Sequence, residues 1–289
     1  MWSAFDRAIV AVKDLAAARE GYARLLGRRP SFEGHEPDRG TRSVWFRLAN
    51  ASVELRAPAA PGSCPSLEAR LAERGEGVLG IGLAADDAEA AAAWLTARPA
   101  LSQHDLALRG WESTAVSGER WVRREIDIDL CRSRGFPITI ACDVDPDDGA
   151  PLAVADVPEE AAIGGIDHVV VRTADADRSI EVYRDMLGLR LALDRAFPER
   201  GVRLVFFRLA GVTVELGARM RGVPSEATDL PDTSGGIAFR VPSPAATRAR
   251  VLDAGLDVSE VRRGNKPGTA VCTVRSGTCG VPTLLIGPE

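Results

Sequence analysis

The stretch FDRAIVAVKDLAAAREGYARLLG at residues 5–27 returns as IDHVVVRTADADRSIEVYRDMLG at residues 166–188. The match continues at the same offset and without a gap, and it ends with VEL at residues 53–55 against VEL at residues 214–216. A gapless match through helices, turns and strands indicates two copies of one supersecondary unit rather than chance similarity.

Each copy has the pattern of a β-α-β-β-β unit. Runs of β-branched residues favour a first strand, and Asp14 and Asp175 follow as N-cap candidates before the helices. Gly27 and Gly188 come directly after the last apolar residues of these helices, where glycine commonly ends a helix. A Pro/Gly turn and a further strand pair complete the predicted unit.

Two less similar segments complete the chain, and they begin at Gly80 and Gly236. Each continues into a helix pattern and a late strand. We therefore predict an α+β fold of four βαβββ modules, paired into two domains with curved, cup-shaped mixed sheets. The predicted boundaries are 1–142 for the N-terminal domain, 143–162 for an acidic, proline-containing linker and 163–289 for the C-terminal domain.

The composition excludes several classes of protein. With 289 residues, 45% of them hydrophobic, the chain is long enough for two domains that each bury a core. No apolar run is long enough to span a membrane, and a net charge of −5 gives no electrostatic reason to bind nucleic acid. The first residues do not resemble a secretory signal and the five cysteines form no CxxC pair, so we expect a cytoplasmic protein.

The run IDHVVV at residues 166–171, followed by Asp175, Tyr183 and Leu187-Gly188, resembles the first module of the vicinal oxygen chelate superfamily. This superfamily includes glyoxalase I, bleomycin-resistance proteins and type I extradiol dioxygenases. The resemblance covers nearly the whole chain and implies tandem glyoxalase-like domains. In each, two modules close into a cup around a divalent metal, whose ligands come from the first and last strands. Because this fold supports many activities, it does not by itself give the function.

The resemblance assigns His168 and Glu215 to the metal-ligand positions of the third module, so these two are the candidate catalytic residues. Their counterparts in the first module are Arg7 and Glu54. The second and fourth modules offer no further matching ligand. The corresponding places hold Gly80 and Thr139 in the second module and Gly236 and Leu284 in the fourth. A firmly held metal needs about three protein ligands. We therefore expect no metal cofactor, with a divalent metal at His168 and Glu215 in the C-terminal domain as the alternative.

Strand alternation predicts which side chains line the cups. In the hairpin at residues 44–56 one face is apolar, and the other carries Trp45, Arg47 and Glu54. We expect Arg47 to pair with Glu54, and Arg208 likewise with Glu215, so that a guanidinium takes the place of the metal. Arg123-Arg124 is expected in solvent. The predicted ligand-binding residues are Arg7, Trp45, Arg47, Glu54, Arg172, Phe206, Arg208 and Arg240.

These features support three hypotheses. The first is a glyoxalase/bleomycin resistance-like protein with degenerate metal sites that binds a small molecule, anionic or aromatic, in a cup-shaped cavity. The second is a metal-dependent lyase, isomerase or extradiol-type dioxygenase that uses His168 and Glu215. The third is an enzyme without a metal in which His168 shuttles a proton. Modules of this superfamily pair within or between chains. Because the modules are in tandem here, we expect them to pair within the chain, and a homodimer is left open.

Overall fold

The computed structural model describes residues 2–114, 120–144, 151–220 and 230–289. The first half of the chain forms an eight-stranded mixed sheet in the order β2-β3-β4-β1-β5-β8-β7-β6. Its strands are β1 (Trp2–Ala11), β2 (Phe32–Glu36), β3 (Thr41–Arg47), β4 (Ser52–Pro58), β5 (Gly77–Ala85), β6 (Leu106–Thr114), β7 (Arg120–Ile128) and β8 (Ile138–Asp143), and its helices are α1 (Leu15–Leu26), α2 (Pro65–Arg74) and α3 (Ala88–Thr96).

The second half repeats this arrangement in the order β10-β11-β12-β9-β13-β16-β15-β14. Its strands are β9 (Gly165–Thr173), β10 (Arg190–Phe197), β11 (Val202–Leu209), β12 (Val212–Arg219), β13 (Thr233–Arg240), β14 (Arg262–Arg263), β15 (Thr269–Val274) and β16 (Thr283–Pro288), and its helices are α4 (Ala176–Ile180) and α5 (Pro244–Asp253). The predicted α+β fold of paired modules is confirmed, and in each half the two modules pair within the chain through β1 with β5 and β9 with β13.

The ends of helix α1 lie at the residues that the sequence indicates. The Asp14 carboxylate accepts hydrogen bonds from the backbone N–H groups of Ala16 and Ala17 at the start of α1, and Gly27 ends the helix in the left-handed region at φ 65°. In the second copy the helix predicted to reach Leu187 is α-helical only as far as Ile180. It continues as a π-helical turn, Glu181–Met186, before Gly188 at φ 65°.

A single buried apolar cluster includes residues of both halves. The face predicted to be apolar contributes Val44, Phe46 and Leu55, and the second copy contributes Val205 and Phe207 at the equivalent places. The described part of the predicted linker also packs on the first half, where the Ala153 N–H donates to the Arg47 carbonyl. Linker residues 145–150 lie outside the described residues. Among the described helices, none has the length and apolarity needed to cross a membrane.

One irregularity occurs in both sheets and shapes both candidate sites. The β1–β5 register passes from Phe5 opposite Leu83 to Arg7 opposite Gly82, which leaves Asp6 as an extra residue. At the equivalent place in β9, Asp167 is the extra residue. Such a β-bulge interrupts the alternation of side chains along a strand. Each bulged aspartate can therefore hydrogen-bond to the side chain that follows it.

Candidate functional site

The C-terminal hollow is the face of the second sheet that points away from the core. Its floor and walls are half-buried rather than buried. The edge strand β14 is two residues long and exposed, and β10 at the opposite edge is largely exposed as well. The hollow is therefore open to solvent. Its lining is mostly apolar and consists of His168, Val170, Leu204, Phe206, Glu215, Thr273, Leu284 and Ile286.

His168 is oriented by the bulged residue before it. Its Nδ1 lies 3.0 Å from Asp167 Oδ1, and its Nε2 lies 3.9 Å from Glu215 Oε2. The hydrogen bond with His168 lowers the pKa of Asp167 although partial burial opposes this, and Arg240 at 3.5 Å contributes in the same direction. A carboxylate on Nδ1 favours the tautomer in which Nε2 is free to act as an acceptor. His168 and Glu215, the two predicted catalytic residues, are thus brought together.

Glu215 differs from most buried carboxylates because no arginine of the described residues pairs with it. Its side chain is 20% exposed. Burial raises the pKa of Glu215, and the nearby imidazole offsets only part of this effect. Phe206 lies directly opposite Glu215 in the β11–β12 register. The site therefore combines a hydrogen-bonding pair with an aromatic ring on a half-buried floor.

The predicted pairing of Arg208 with Glu215 is wrong. The two-residue hairpin turn sets Leu209 opposite Val212, and this register places Arg208 opposite Thr213 with an exposed side chain. Arg172 lies two residues beyond Val170 on β9, and it is exposed at the rim of the hollow, as is Arg240 on β13. Their roles in ligand binding stay predictions.

The N-terminal hollow, the equivalent face of the first sheet, is filled by its own side chains. Arg7, which stands where His168 stands in the second copy, has a fully buried side chain. Its Nε lies 2.7 Å from Glu54 Oε2 and its Nη2 lies 2.8 Å from Glu125 Oε1, and it also hydrogen-bonds to Asp6. Arg56 Nε pairs with the other oxygen of Glu54 at 2.6 Å.

The predicted pairing of Arg47 with Glu54 is therefore wrong as well. Trp45 lies opposite Glu54 in the β3–β4 register, whereas Arg47 lies opposite Ser52 and is exposed. A guanidinium does pair with Glu54 in this half, but it belongs to Arg7 and to Arg56 rather than to Arg47. Strand alternation predicts a cup position for Arg7, but it does not indicate that Arg7 is the partner of Glu54.

The ion-pair network extends into the second module. Arg39 lies 2.6 Å from Glu125 and 3.0 Å from Asp127, and Arg123 lies 2.6 Å from Asp6. Burial by itself would raise the pKa of Glu125, but the surrounding guanidinium groups of Arg7 and Arg39 outweigh it and hold the pKa well below the usual range. Arg123 was expected in solvent, but its side chain is 2% exposed. In β7, Glu125 and Asp127 alternate with Ile126 and Ile128, and Arg123 lies two residues before Glu125 on the same face; this alternation was the signal for the face that lines the hollow.

Aromatic rings pack against Arg7 and Arg123 on one side of the N-terminal hollow. Phe32, Trp45, Trp111 and Trp121 form one buried cluster, and the Trp111 and Trp121 centroids are 4.9 Å apart. Arg7 stacks on the Trp45 ring at 5.0 Å and Arg123 stacks on Trp121 at 4.8 Å. The predicted ligand-binding residues Arg7, Trp45 and Glu54 thus lie inside a packed interior, and their contact with a ligand stays a prediction.

The donor set of neither hollow fits a resident metal ion. Across the described ranges no three side chains of histidine, cysteine, aspartate or glutamate are grouped so as to hold one. Opposite His168 the structure places Ala238, followed by Leu284 in the next strand, and neither side chain is a ligand. Two donors fall short of the three protein ligands that a catalytic zinc site typically has. In the N-terminal hollow the corresponding position is a guanidinium.

Comparisons with known proteins agree with this fold. The family model described as Glyoxalase/Bleomycin resistance protein/Dioxygenase superfamily matches residues 7–105 and 167–273. Among solved structures, a variant of 4-hydroxymandelate synthase from Streptomyces coelicolor is similar at a TM-score of 0.66 and 14% identity, covering 100% of this chain and 93% of that one. BphC, a halotolerant catechol dioxygenase, is similar at a TM-score of 0.62 and 12% identity, covering 99% of this chain and 87% of that one.

No curated protein matches the sequence significantly. The similarity to solved structures at these identities concerns the fold. The family model, by contrast, matches most of both repeats, including the first-strand and last-strand positions of each copy. The chain therefore belongs to the glyoxalase/bleomycin resistance protein/dioxygenase superfamily.

Proposed function

We propose that the protein binds a small aromatic molecule in the C-terminal hollow, with a hydroxyl or carboxyl group of the ligand placed between His168 and Glu215. The observation that carries this proposal is that the carboxylates of the two hollows have different partners. In the N-terminal hollow the carboxylates are satisfied by arginines, whereas Glu215 is half-buried with an imidazole at 3.9 Å and no guanidinium among the described residues.

The lining supports the chemical class of the ligand. Phe206 and the half-buried aliphatic side chains around it offer an apolar surface for a ring. The neutral imidazole accepts a hydrogen bond at Nε2, and Glu215 accepts one when ionised or donates one when protonated. A ligand hydroxyl or protonated carboxyl group can donate its hydrogen to Nε2 and accept one from Glu215 when Glu215 is protonated. Arg172 and Arg240 at the rim favour ligands that carry a negative charge.

Isothermal titration calorimetry with phenol, catechol and 4-hydroxybenzoate tests the proposal, with chelator present throughout. We expect His168→Ala and Glu215→Gln to weaken binding about tenfold or more, because each removes a hydrogen-bond partner in a half-buried site. His104→Ala, which removes an exposed histidine, is the matched control. Equal affinities in the wild-type protein and both variants, or no binding across the panel, would overturn the proposal.

A second function is supported by one specific observation, the fixed geometry of Asp167, His168 and Glu215. A histidine whose Nδ1 is held by a carboxylate can take a proton at Nε2, and a carboxyl group with a raised pKa can return it at another position. We infer a proton-transfer activity of the isomerase or lyase type that needs no resident metal. Incorporation of deuterium into a bound ligand in D2O, with chelator present, would support it. Exchange that continues in His168→Ala would contradict it.

Metal analysis and the effect of chelation on turnover decide the metal-dependent alternative. If the purified protein contains about one divalent metal per chain, and if chelation abolishes turnover that His168→Ala also abolishes, a metal enzyme of the lyase, isomerase or extradiol type replaces the present proposal.

Cytoplasmic location and a homodimer stay predictions. Cell fractionation would check the location, and sedimentation measurements would check the oligomeric state.

A further inference from the structure

Three arginines lie at the end of the C-terminal hollow that is far from His168. Arg172 lies four residues after His168 in β9, and strand alternation puts both side chains on the face of the sheet that lines the hollow. Arg219 stands in the same relation to Glu215 in β12, and Arg195 comes from the edge strand β10. Four residues of a strand span about 13 Å. The three arginines therefore form a second group of polar side chains in the hollow, which we call the arginine end.

The strand registers show how these arginines are arranged. Arg172 lies opposite Gly217, Gly217 lies opposite Leu204, and Leu204 lies opposite Arg195. Paired residues of neighbouring strands share a face, so this row across four strands has an arginine at each side. Arg219 lies two residues beyond Gly217 on the same face. The arginine end thus consists of three cationic side chains around a floor of one glycine and one leucine.

The floor at Gly217 is open. A Cβ atom at this position would meet only Leu204 Cδ2, at 4.0 Å. In the first copy the equivalent residue is Arg56, whose guanidinium pairs with Glu54 inside the hollow. The second copy therefore leaves free the space that a side chain occupies in the first.

The three arginines are available to a ligand. Arg172, Arg195 and Arg219 are exposed, and within the described ranges none of them pairs with a carboxylate. Arg195 lies over the Phe197 ring at 5.0 Å, which leaves its nitrogen atoms able to donate hydrogen bonds. The first copy has no counterpart of this group, because its equivalent residues are Ala11, Gly34 and Pro58. The arginines thus occur only in the copy whose hollow is open.

The acidic side chains of the second sheet do not neutralise this group. The described strands β9 to β16 contain three of them, Asp167, Asp194 and Glu215. Asp167 and Glu215 lie beside His168. Asp194 lies opposite the buried Val205, on the other face of the sheet, and pairs there with Arg203 at 2.7 Å.

The segments that adjoin the arginine end add little negative charge. Asp175 caps helix α4, and Asp232 lies 3.2 Å from Arg134 and accepts a hydrogen bond from Ser179. Glu199 is exposed in the turn between β10 and β11, next to Arg200. Although the whole chain has a net charge of −5, its arginine end is therefore locally positive.

We propose that the arginine end binds a carboxylate of the ligand, so that the ligand is an elongated anion. Its aromatic ring and hydroxyl group lie at Phe206, His168 and Glu215, and its carboxylate accepts hydrogen bonds from guanidinium groups about 13 Å away along the strands. This inference rests on the function proposed above, because it assigns the opposite end of the same ligand. It makes the three arginines determinants of specificity.

Calorimetry with the full chain, in the presence of chelator, tests the inference with phenol and with 4-hydroxyphenyl alkanoic acids of increasing chain length. The primary amide of each acid is the matched neutral probe. We expect the longer acids to bind about tenfold more tightly than their amides, because charge-assisted hydrogen bonds are stronger than neutral ones. This ratio should rise with chain length and fall as the ionic strength is raised, since the arginines are exposed.

Two variants locate the carboxylate. Replacing the three arginines together (Arg172→Gln, Arg195→Gln and Arg219→Gln) should remove the difference between acid and amide and leave the affinity for phenol unchanged. Gly217→Val reduces the space on the floor and should weaken binding of the longer acids but not of phenol. Arg184→Gln is the matched control, because it removes an exposed arginine from the π-helical turn on the other face of the sheet.

The outcomes separate this inference from the proposed function. His168→Ala should weaken the acids and their amides by the same factor, so that the ratio between them stays constant. If phenol binds but acids and amides bind equally, the inference is wrong and the proposed function is retained. A ratio that persists in the triple arginine variant would also contradict the inference, and no binding by any probe would overturn both.

Discussion

The two hollows are copies of one unit that have been filled in different ways. Arg7 and Glu54 in the first copy occupy the positions of His168 and Glu215 in the second, and the bulged aspartate that precedes each pair is retained. In the first copy Arg7 is fully buried and joins three carboxylates, whereas in the second the imidazole and Glu215 are each 20% exposed. The difference shows that one backbone can support either a packed ionic interior or an open site.

The physical reason lies in the partner module. β7 supplies Arg123 and Glu125 to the N-terminal hollow, and together with the tryptophans they complete its charge balance and its packing. The equivalent strand β15 presents Val271 and Thr273 instead. Strand β15 carries no charged side chain, and no arginine of the described residues pairs with Glu215. A residue is thus structural or available for a ligand according to what the facing module provides.

The largest expected effect comes from replacing the residue that distinguishes the two copies. Arg7→Met leaves Glu54, Glu125 and Asp6 buried without their shared cation, so we expect a loss of about 3–5 kcal/mol in the free energy of unfolding. The matched variant His168→Met should cost less than about 1 kcal/mol, since its site is half-exposed. Urea denaturation measures both. Similar losses in the two variants would show that the two hollows do not differ in how tightly they are packed.

The aromatic positions sharpen the comparison. Trp45 is 1% exposed and packed against Trp111 and Trp121, so Trp45→Ala should lower the free energy of unfolding by about 3–5 kcal/mol. Phe206→Ala, at the equivalent position on a half-buried surface, should cost about 1 kcal/mol or less and should weaken binding of the aromatic probes. A Phe206→Ala variant that is as unstable as Trp45→Ala would mean that the second hollow is packed rather than open.

The response to pH should have opposite signs at Asp6 and Glu125 of the N-terminal hollow and at Glu215 of the C-terminal hollow. The pKa values of Asp6 and Glu125 lie below their usual values, so their contribution to stability is complete above the unfolded pKa and is lost as the pH falls below about 4. The pKa of Glu215 is raised, so its ionised form opposes folding at neutral pH. Glu125→Gln should therefore destabilise the protein at neutral pH and flatten its acid transition.

For Glu215→Gln we expect a small gain in stability at neutral pH that disappears below about pH 4.5, where the carboxyl group is protonated in both states. Denaturation midpoints measured across this range check both variants. A loss of stability in Glu215→Gln at neutral pH would indicate a stabilising partner for this carboxylate and would contradict the open site.

The smallest effect is expected at Arg208. Because its side chain is exposed and lies opposite Thr213 rather than Glu215, Arg208→Ala should change the free energy of unfolding by no more than about 0.5 kcal/mol. It should also leave binding of phenol unchanged, and thermal denaturation together with calorimetry measures both. A loss of more than about 2 kcal/mol would restore the pairing with Glu215 that the sequence analysis predicted.

The sequence by itself determined the features that depend on neighbours along the chain. The repeat established the duplicated unit, the N-cap at Asp14 and the glycine at position 27 established α1, and strand alternation separated the apolar face of Val44 and Phe46 from the face of Trp45 and Glu54. These features follow from backbone geometry and periodicity, which a single segment contains. The resemblance to the superfamily, rather than alternation, assigned His168 and Glu215 to one hollow.

Only the tertiary structure decided which charged groups meet. Glu54 pairs with Arg7 and Arg56 rather than Arg47, because the hairpin register places Arg47 at the exposed end, and Arg7 meets Glu125 only because β7 folds across the hollow from the partner module. The open or filled state of each hollow depends in the same way on the wall opposite. Side-chain packing between distant strands is set by register, bulges and sheet curvature, and a local sequence pattern does not contain these quantities.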